Sequence, residues 1–163
     1  MSGSYKEPFY EAEIKTSGCG IELLVNDCFS FSNYRPGGLA VDWPINEFIL
    51  ETGIQYIKVK GLPFDVTKPI IKPAYIQVNI YVREAHRLTD LPRKLIYSFN
   101  TGNTFEQKDY LYYENEFTFN ANVPYKISGW KKSMDLSKLD KDELFKQLSM
   151  WDQKLFDIFV TKN

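Results

Sequence analysis

The chain has 163 residues, a formal net charge of −1 and hydrophobic residues at 44% of positions. This length fits one domain of about 100–200 residues, and the composition is that of an ordinary globular protein. The near-neutral charge argues against a dedicated nucleic-acid-binding protein, which would carry a basic surplus. No run approaches the roughly 20 apolar residues that a membrane span requires. The N-terminal segment lacks the apolar centre of a signal peptide, so we expect a cytoplasmic protein; export would require a leader that precedes residue 1 in the native protein.

The sequence predicts a polar tail at 1–8 and a first β-strand at 9–16. Apolar and polar residues alternate through this segment, which is the pattern of a strand with one buried face. Its apolar face carries Ala12 and Ile14, and its opposite face carries Glu11, Glu13 and Lys15.

A β-hairpin is predicted over 21–31, with Asn26-Asp27 as its turn. Cys28 follows this turn directly, and Cys19 lies about six residues away on the other strand, or roughly 20 Å at the rise of a strand. A disulfide needs Cα atoms within about 7 Å of each other. We therefore expect two reduced cysteines with structural roles, as in a reducing compartment.

The segment 43–60 combines a helical turn with a strand. Its order is a proline at the start of the turn, a glycine, a glutamine and a strand of the Ile-x-Val type, which are Pro44, Gly53, Gln55 and Ile57-Lys58-Val59. This order resembles a pattern that recurs in bacterial jelly-roll sandwiches, of which the galactose-binding-like modules are the familiar example. The resemblance implies a β-sandwich. The calcium- and sugar-binding loops of those modules have no recognisable counterpart here, so no functional residue is carried over.

Further alternating runs predict strands at 76–83, around 95–99 and within 110–123. In the last of these, the residues expected to face inward are Phe117, Phe119, Ala121 and Val123. About eight short strands separated by turn residues are typical of a sandwich or barrel. The predicted fold class is therefore mainly β, an antiparallel, jelly-roll-like β-sandwich over 9–125.

The last quarter of the chain, 126–163, is predicted to be a connector followed by one amphipathic α-helix. Asp140-Lys141-Asp142-Glu143 has the form of a capping box. Apolar residues then recur at intervals of three and four, at Leu144, Leu148, Trp151, Leu155 and Phe159. We expect this helix to pack on the sandwich; the alternatives are a partner protein and a homodimer with a second copy. No helix stop signal follows, so the helix is expected to end either at a frayed native terminus or as part of an N-terminal domain of a longer protein.

The sequence contains little that indicates catalysis. His86 is the one histidine, and Glu84 or Asp90 could orient it as a general base; a surface loop histidine is the simpler interpretation. It lacks the histidine and cysteine partners that transition metals prefer, so we expect no metal and no cofactor. With 21 acidic residues, a pair of carboxylates for glycoside hydrolysis is always available, so that alternative has no specific signal.

Aromatic residues are the best candidates for a binding site, because exposed rings stack on sugars or anchor a protein partner. The candidate binding residues are Tyr34, Trp43, Tyr112, Trp130 and Trp151. The predicted function is non-enzymatic binding of a protein partner, as in bacterial immunity and adaptor proteins. The alternatives are a carbohydrate-binding module that takes a glycan and a hydrolase with paired carboxylates.

Overall fold

Eight β-strands form two antiparallel sheets of four in the computed structural model, which describes residues 5–87, 92–128 and 135–160. The strands are β1 (Pro8–Ser17), β2 (Gly20–Val25), β3 (Cys28–Asn33), β4 (Gly38–Pro44), β5 (Gly53–Leu62), β6 (Tyr75–Glu84), β7 (Lys94–Asn100) and β8 (Tyr113–Ala121). Sheet A has the order β4-β1-β6-β7, and sheet B has the order β3-β2-β5-β8. Two helices accompany them, α1 (Thr104–Gln107) and α2 (Lys141–Val160). The predicted fold class, mainly antiparallel β with a C-terminal helix, is confirmed, whereas α1 was not predicted.

The core lies between the two sheets. Aromatic rings cross from one sheet to the other: Tyr97 of β7 stacks on Phe117 of β8 with ring centroids 4.6 Å apart, and Tyr10 of β1 lies 5.9 Å from Phe119. Burying such a side chain is worth about 1.5–3 kcal/mol, so the inward faces hold the sheets together. The inward set predicted near the end of β8 is confirmed, since all its members are buried: Phe117, Phe119, Ala121 and Val123.

The predicted hairpin forms between β2 and β3. Asn26 and Asp27 have φ angles of 51° and 64°, the left-handed region that a tight hairpin turn of type I′ requires. Val25 is paired with Cys28 across this turn. Both thiols are free; Cys19 is buried, but Cys28 is exposed and does not have the structural role that we expected.

The turn between β1 and β2 depends on Gly18 for two reasons. Its φ of +76° lies in the left-handed region, and a Cβ atom here would lie 2.6 Å from the carbonyl oxygen of Pro73. A side chain would therefore be strained in the backbone and would also collide with the loop before β6. The helical turn predicted within 43–60 is a 3₁₀ turn at Asn46–Phe48.

The described residues divide into two compact units, with the boundary between Ile127 and Ser128. The second unit contains α2, whose first turn is capped by Asp140. Its Oδ1 accepts hydrogen bonds from the backbone N–H groups of Asp142 and Glu143, both at 3.0 Å, as an N-cap residue does. No residue of α2 is buried. Among the described residues, no helix combines the length and the apolar character that crossing a bilayer needs.

Candidate functional site

The outer face of sheet B brings two of the five candidate binding residues together. Tyr34 follows β3 and donates a hydrogen bond to Glu22 of β2 at 2.6 Å. Tyr112 directly precedes β8 and donates to Glu114. The rings are 52% and 47% exposed. Glu22 also acts on the Tyr112 hydroxyl electrostatically, so both tyrosines lie near the same carboxylate.

The other three candidates lie elsewhere. Trp43 of β4 packs against Phe31 with ring centroids 5.1 Å apart, and its indole N–H is buried without a hydrogen-bond partner. Trp151 lies on α2 with its ring exposed, and the ammonium group of Lys154 is 4.4 Å from the ring centroid. Trp130 lies outside the described residues.

Three further apolar side chains extend the outer face of sheet B, and sequence reasoning missed them. Ile54 and Tyr56 are exposed on β5, where they alternate with residues that point into the core. Phe29 of β3 is exposed and is paired with Leu24 of β2. The alternation along β5 was a usable signal, because it puts Ile54 and Tyr56 on one side of the strand. We call the exposed set the sheet B face, which consists of Phe29, Tyr34, Ile54, Tyr56 and Tyr112.

Charged pairs occupy the centre of the sheet B face. Lys60 of β5 lies 3.4 Å from the carboxylate of Glu22, and Lys58 lies 2.8 Å from that of Glu116. Ion pairs this exposed to solvent contribute little to folding. Their more important effect is on the surface, which presents a charged centre with aromatic and aliphatic side chains around it.

The hydroxyl groups of Tyr34 and Tyr112 stay protonated at neutral pH. Burial, the hydrogen bond to Glu114 and the negative charges of Glu114 and Glu22 together raise the pKa of Tyr112 to about 12. The hydrogen bond to Glu22 raises the pKa of Tyr34 as well. Each hydroxyl donates to a carboxylate, so the faces of the rings are the parts available to a partner.

Two shallow depressions lie on the outer surfaces of the sheets. The one on sheet B has a volume of about 140 Å³ and is lined by Asp27, Tyr56, Ile57, Lys58 and Glu116. The one on sheet A has a volume of about 160 Å³ and is lined by Glu13, Lys15, Ala40, Val41 and Asp42. Pockets for small organic ligands usually measure about 300–1,000 Å³. Neither depression is large enough to enclose such a ligand.

His86 lies at the surface of the sandwich. Its Nε2 contacts the carboxylate of Glu7 rather than that of Glu84, which accepts hydrogen bonds from the backbone N–H groups of Lys6 and Glu7. The other predicted partner, Asp90, lies outside the described residues. The side chain of His86 is exposed, which favours the interpretation as a surface histidine.

A cluster of carboxylates lies on the outer face of sheet A. Arg93 donates hydrogen bonds to three of them, which are Glu11 at 3.1 Å, Glu13 at 2.7 Å and Asp42 at 2.7 Å. Burial raises the pKa of Glu13, but hydrogen bonds from Asn79 and Lys15 and the charges of Lys15 and Arg93 outweigh burial and hold this pKa below its ordinary value. A glycosidase general acid needs the opposite shift. Within the described residues, no group of three or more His, Cys, Asp or Glu side chains is placed to hold a metal ion.

Known proteins offer no guide to the function of these surfaces. Comparison of the chain with protein family models, with curated proteins and with solved structures finds no significant match. The resemblance of 43–60 to galactose-binding-like modules therefore has no support beyond the two-sheet antiparallel architecture. Function has to be inferred from the geometry of the sheet B face and of α2.

Proposed function

We propose that this protein is a non-enzymatic binding protein that takes a protein partner on the sheet B face. The observation that carries the proposal is the exposure of five large apolar side chains on one side of one sheet. Large apolar side chains grouped on one face of a folded protein mark an interaction site more often than a single scattered exposed residue does. A small interaction protein of the bacterial immunity or adaptor type fits the length of the chain and its free cysteines.

The composition of the sheet B face supports a protein partner. Tyrosine and phenylalanine are enriched at protein–protein interfaces because they combine a large contact area with few rotatable bonds. Three of the five side chains of this face are tyrosines, and Phe29 adds a fourth ring. Glu114 and Glu116 are exposed on the edge strand β8, so a complementary surface would present basic side chains beside its apolar contacts.

The shape of the sheet B face also favours a protein partner over a small organic ligand. The depression beside Tyr56, of about 140 Å³, is too small for an organic ligand but is a suitable recess for one side chain of a partner. The free thiols of Cys19 and Cys28 agree with a reducing compartment, so the proposal assigns the interaction to the cytoplasm.

The test uses one substitution on each sheet. Tyr56 and Tyr75 are both exposed tyrosines, but Tyr75 lies on the outer side of sheet A. Affinity capture from the native organism's lysate with the wild-type protein should recover one protein in near-equal amount. Tyr56→Glu should reduce this recovery at least tenfold, because it replaces an aromatic contact of the interface with an unpaired charge, which costs about 1.4 kcal/mol or more.

Tyr75→Glu is the matched control and should leave the recovery unchanged. A partner that is lost equally with both substitutions, or with neither, would contradict the assignment to the sheet B face. Recovery of no protein at all would contradict a protein partner.

A glycan is the second candidate, and one arrangement favours it. Tyr34 and Tyr112 each present a ring beside a carboxylate, at Glu22 and Glu114. Sugars are bound by apolar stacking on rings together with hydrogen bonds to polar side chains, and carboxylates accept such bonds from sugar hydroxyl groups. A glycan array should then show a ligand that Tyr34→Ala and Tyr112→Ala lose and Tyr75→Ala keeps. The glycan proposal does not rest on the resemblance to galactose-binding-like modules, from which no functional residue is carried over.

A further inference from the structure

Helix α2 presents an apolar stripe with the spacing of a coiled-coil seam. Five apolar residues follow one another at intervals of four, three, four and three, at Leu144, Leu148, Trp151, Leu155 and Ile158. This is the repeat by which helices pack side by side, with each side chain inserted between four side chains of the facing helix. Four of the five are exposed and Leu144 is half-buried, so the seam is open to a second helix.

The area of the stripe is sufficient for a specific interface. Phe145 and Phe159 widen it and are 72% and 77% exposed, and Trp151 within it is 60% exposed. Fully buried aromatic side chains cover about 150–250 Å² and aliphatic ones about 100 Å², so the stripe offers roughly 600 Å² on each copy. Two copies would bury roughly 1,200 Å² together, which is the lower end of the range for specific interfaces.

The side chains of the stripe complement those of a second copy that runs in the opposite direction. An antiparallel pair puts Leu148 opposite Trp151 and Leu144 opposite Leu155, so no layer contains two tryptophans. A parallel pair would instead set Trp151 against its own counterpart. Antiparallel helices also place the positive N-terminal end of one helix dipole beside the negative C-terminal end of the other, which is favourable.

The charged residues beside the seam are also compatible with an antiparallel pair of helices. Asp152 and Lys154 border the stripe on opposite sides. In the antiparallel pair they face Phe145 and Gln147 of the second copy, so like charges do not meet across the seam.

We propose that α2 is a homodimerisation element, through which two copies of this chain associate as an antiparallel helix pair. The seam spacing, the exposed area and the fit of the stripe to itself carry this inference. It does not depend on the sheet B face, whose residues all lie in the first unit of the chain.

The first test is the mass of the full chain in solution, measured by sedimentation from about 1 to 100 µM. The wild-type protein should pass from one chain to two across this range. The double substitution Leu148→Glu/Leu155→Glu should remain a single chain at the highest concentration, because each dimer would then bury four unpaired charges.

The matched control is Met150→Glu/Val160→Glu. Both of these residues are exposed and apolar on α2 but lie off the stripe, so this protein should dimerise with a dissociation constant within about threefold of wild type. Tyr56→Glu should dimerise as well, which separates this proposal from that of a partner on the sheet B face. A wild-type protein that stays a single chain, or equal loss in both double variants, would overturn the proposal.

The second test is disulfide cross-linking, which does not depend on weakening the dimer. In a Cys28→Ser background, chains with Leu144→Cys should cross-link to chains with Leu155→Cys. Two copies of Leu144→Cys should not link to each other, because an antiparallel pair separates these positions by roughly 16 Å along the helix axis, beyond the limit of about 7 Å. Self-linked Leu144→Cys chains without the mixed product would contradict the antiparallel arrangement.

Discussion

At the scale of single residues, Asn26 links three parts of the sandwich. Its backbone forms the turn between β2 and β3 at a φ of 51°. Its Nδ2 donates to the carbonyl oxygen of Phe48 and to Oε1 of Gln55, both at 2.8 Å, and its Oδ1 accepts from the N–H of Tyr56 at 2.9 Å. Gln55 is buried. The side chain therefore satisfies polar groups that water cannot easily reach.

Two substitutions at Asn26 separate these roles. Asn26→Gly keeps the left-handed turn but removes three hydrogen bonds, and we expect the free energy of unfolding to fall by about 2–3 kcal/mol. Asn26→Ala also strains the turn and should cost about 1 kcal/mol more. Urea unfolding measures both.

Asp27→Gly is the control for the Asn26 variants. Asp27 has a φ of 64° in the same turn, and its side chain is exposed, so this change should stay within about 0.5 kcal/mol of wild type. Equal losses for Asn26→Gly and Asp27→Gly would mean that the side-chain hydrogen bonds of Asn26 do not stabilise the fold.

The turn could be predicted from the sequence, but its hydrogen-bond partners could not. Asn and Asp tolerate positive φ, so the dipeptide between two apolar runs indicates a hairpin turn locally. The partners Phe48 and Gln55 are 22 and 29 residues further along the chain. Only the pairing of β2 with β5 brings them next to Asn26.

At the scale of secondary-structure elements, Arg93 ties together the strands of sheet A from one edge to the other. It directly precedes β7, and its guanidinium lies 4.0 Å from the centroid of the Tyr81 ring on β6. It then reaches Glu11 and Glu13 on β1 and Asp42 on β4. One side chain therefore contacts all three other strands of the sheet.

We expect Arg93→Ala to lower the free energy of unfolding by about 2–3 kcal/mol. The change removes the hydrogen bonds of a partly buried cluster, in which Glu11 is buried and Glu13 is half-buried, although Arg83 still pairs with Glu11 at 2.6 Å. Arg93→Lys should recover less than half of the loss, because an ammonium group cannot bond several carboxylates and lie flat on a ring at once. Thermal and urea unfolding measure both changes.

Arg35→Ala provides a comparison for Arg93, because Arg35 is an exposed arginine. Its removal should change the stability by no more than about 0.5 kcal/mol. A lysine at position 93 that restores full stability would show that charge alone, and not the planar guanidinium, stabilises the sheet.

The faces of β1 were predicted correctly, but the surroundings of its polar face were not. Ala12 and Ile14 are buried as the alternation requires. Glu11, on the opposite side, is only 2% exposed. Its arginine partners lie 72 and 82 residues away, and a period-two pattern cannot show which distant side chains will cover a strand.

At the scale of the whole molecule, a local sequence pattern again cannot show which distant segments will meet, and this decides how much of the site could be predicted. The hairpin between β2 and β3 is local and was predicted, whereas the pairings of β1 with β6 and of β5 with β8 join distant segments. Tyr34 and Tyr112 were identified as candidates from the sequence. Their meeting beside Glu22 depends on β5 lying between β2 and β8, which neither local propensity nor turn chemistry specifies.

The stability of the whole molecule should depend on acid pH through Glu13. Burial raises the pKa of this carboxyl group, but Asn79, Lys15 and Arg93 more than offset burial, so the folded-state pKa lies below the ordinary value of 4.5. A lowered pKa means that ionised Glu13 stabilises the folded state above the pKa of the unfolded chain. This contribution is lost as the pH falls from about 4.5 through the lower folded-state pKa.

Glu13→Gln tests this contribution, because glutamine has nearly the same shape but does not ionise. The wild-type protein should be the more stable of the two near pH 7, and the difference in urea midpoint should shrink towards zero near pH 3 as Glu13 becomes protonated. The exposed Glu47 supplies the control, since Glu47→Gln should give a smaller difference from wild type near pH 7. If the midpoints of wild type and Glu13→Gln instead fall in parallel from pH 7 to pH 3, the hydrogen bonds around Glu13 do not depend on its charge, and the acid sensitivity of the sandwich arises from other carboxylates.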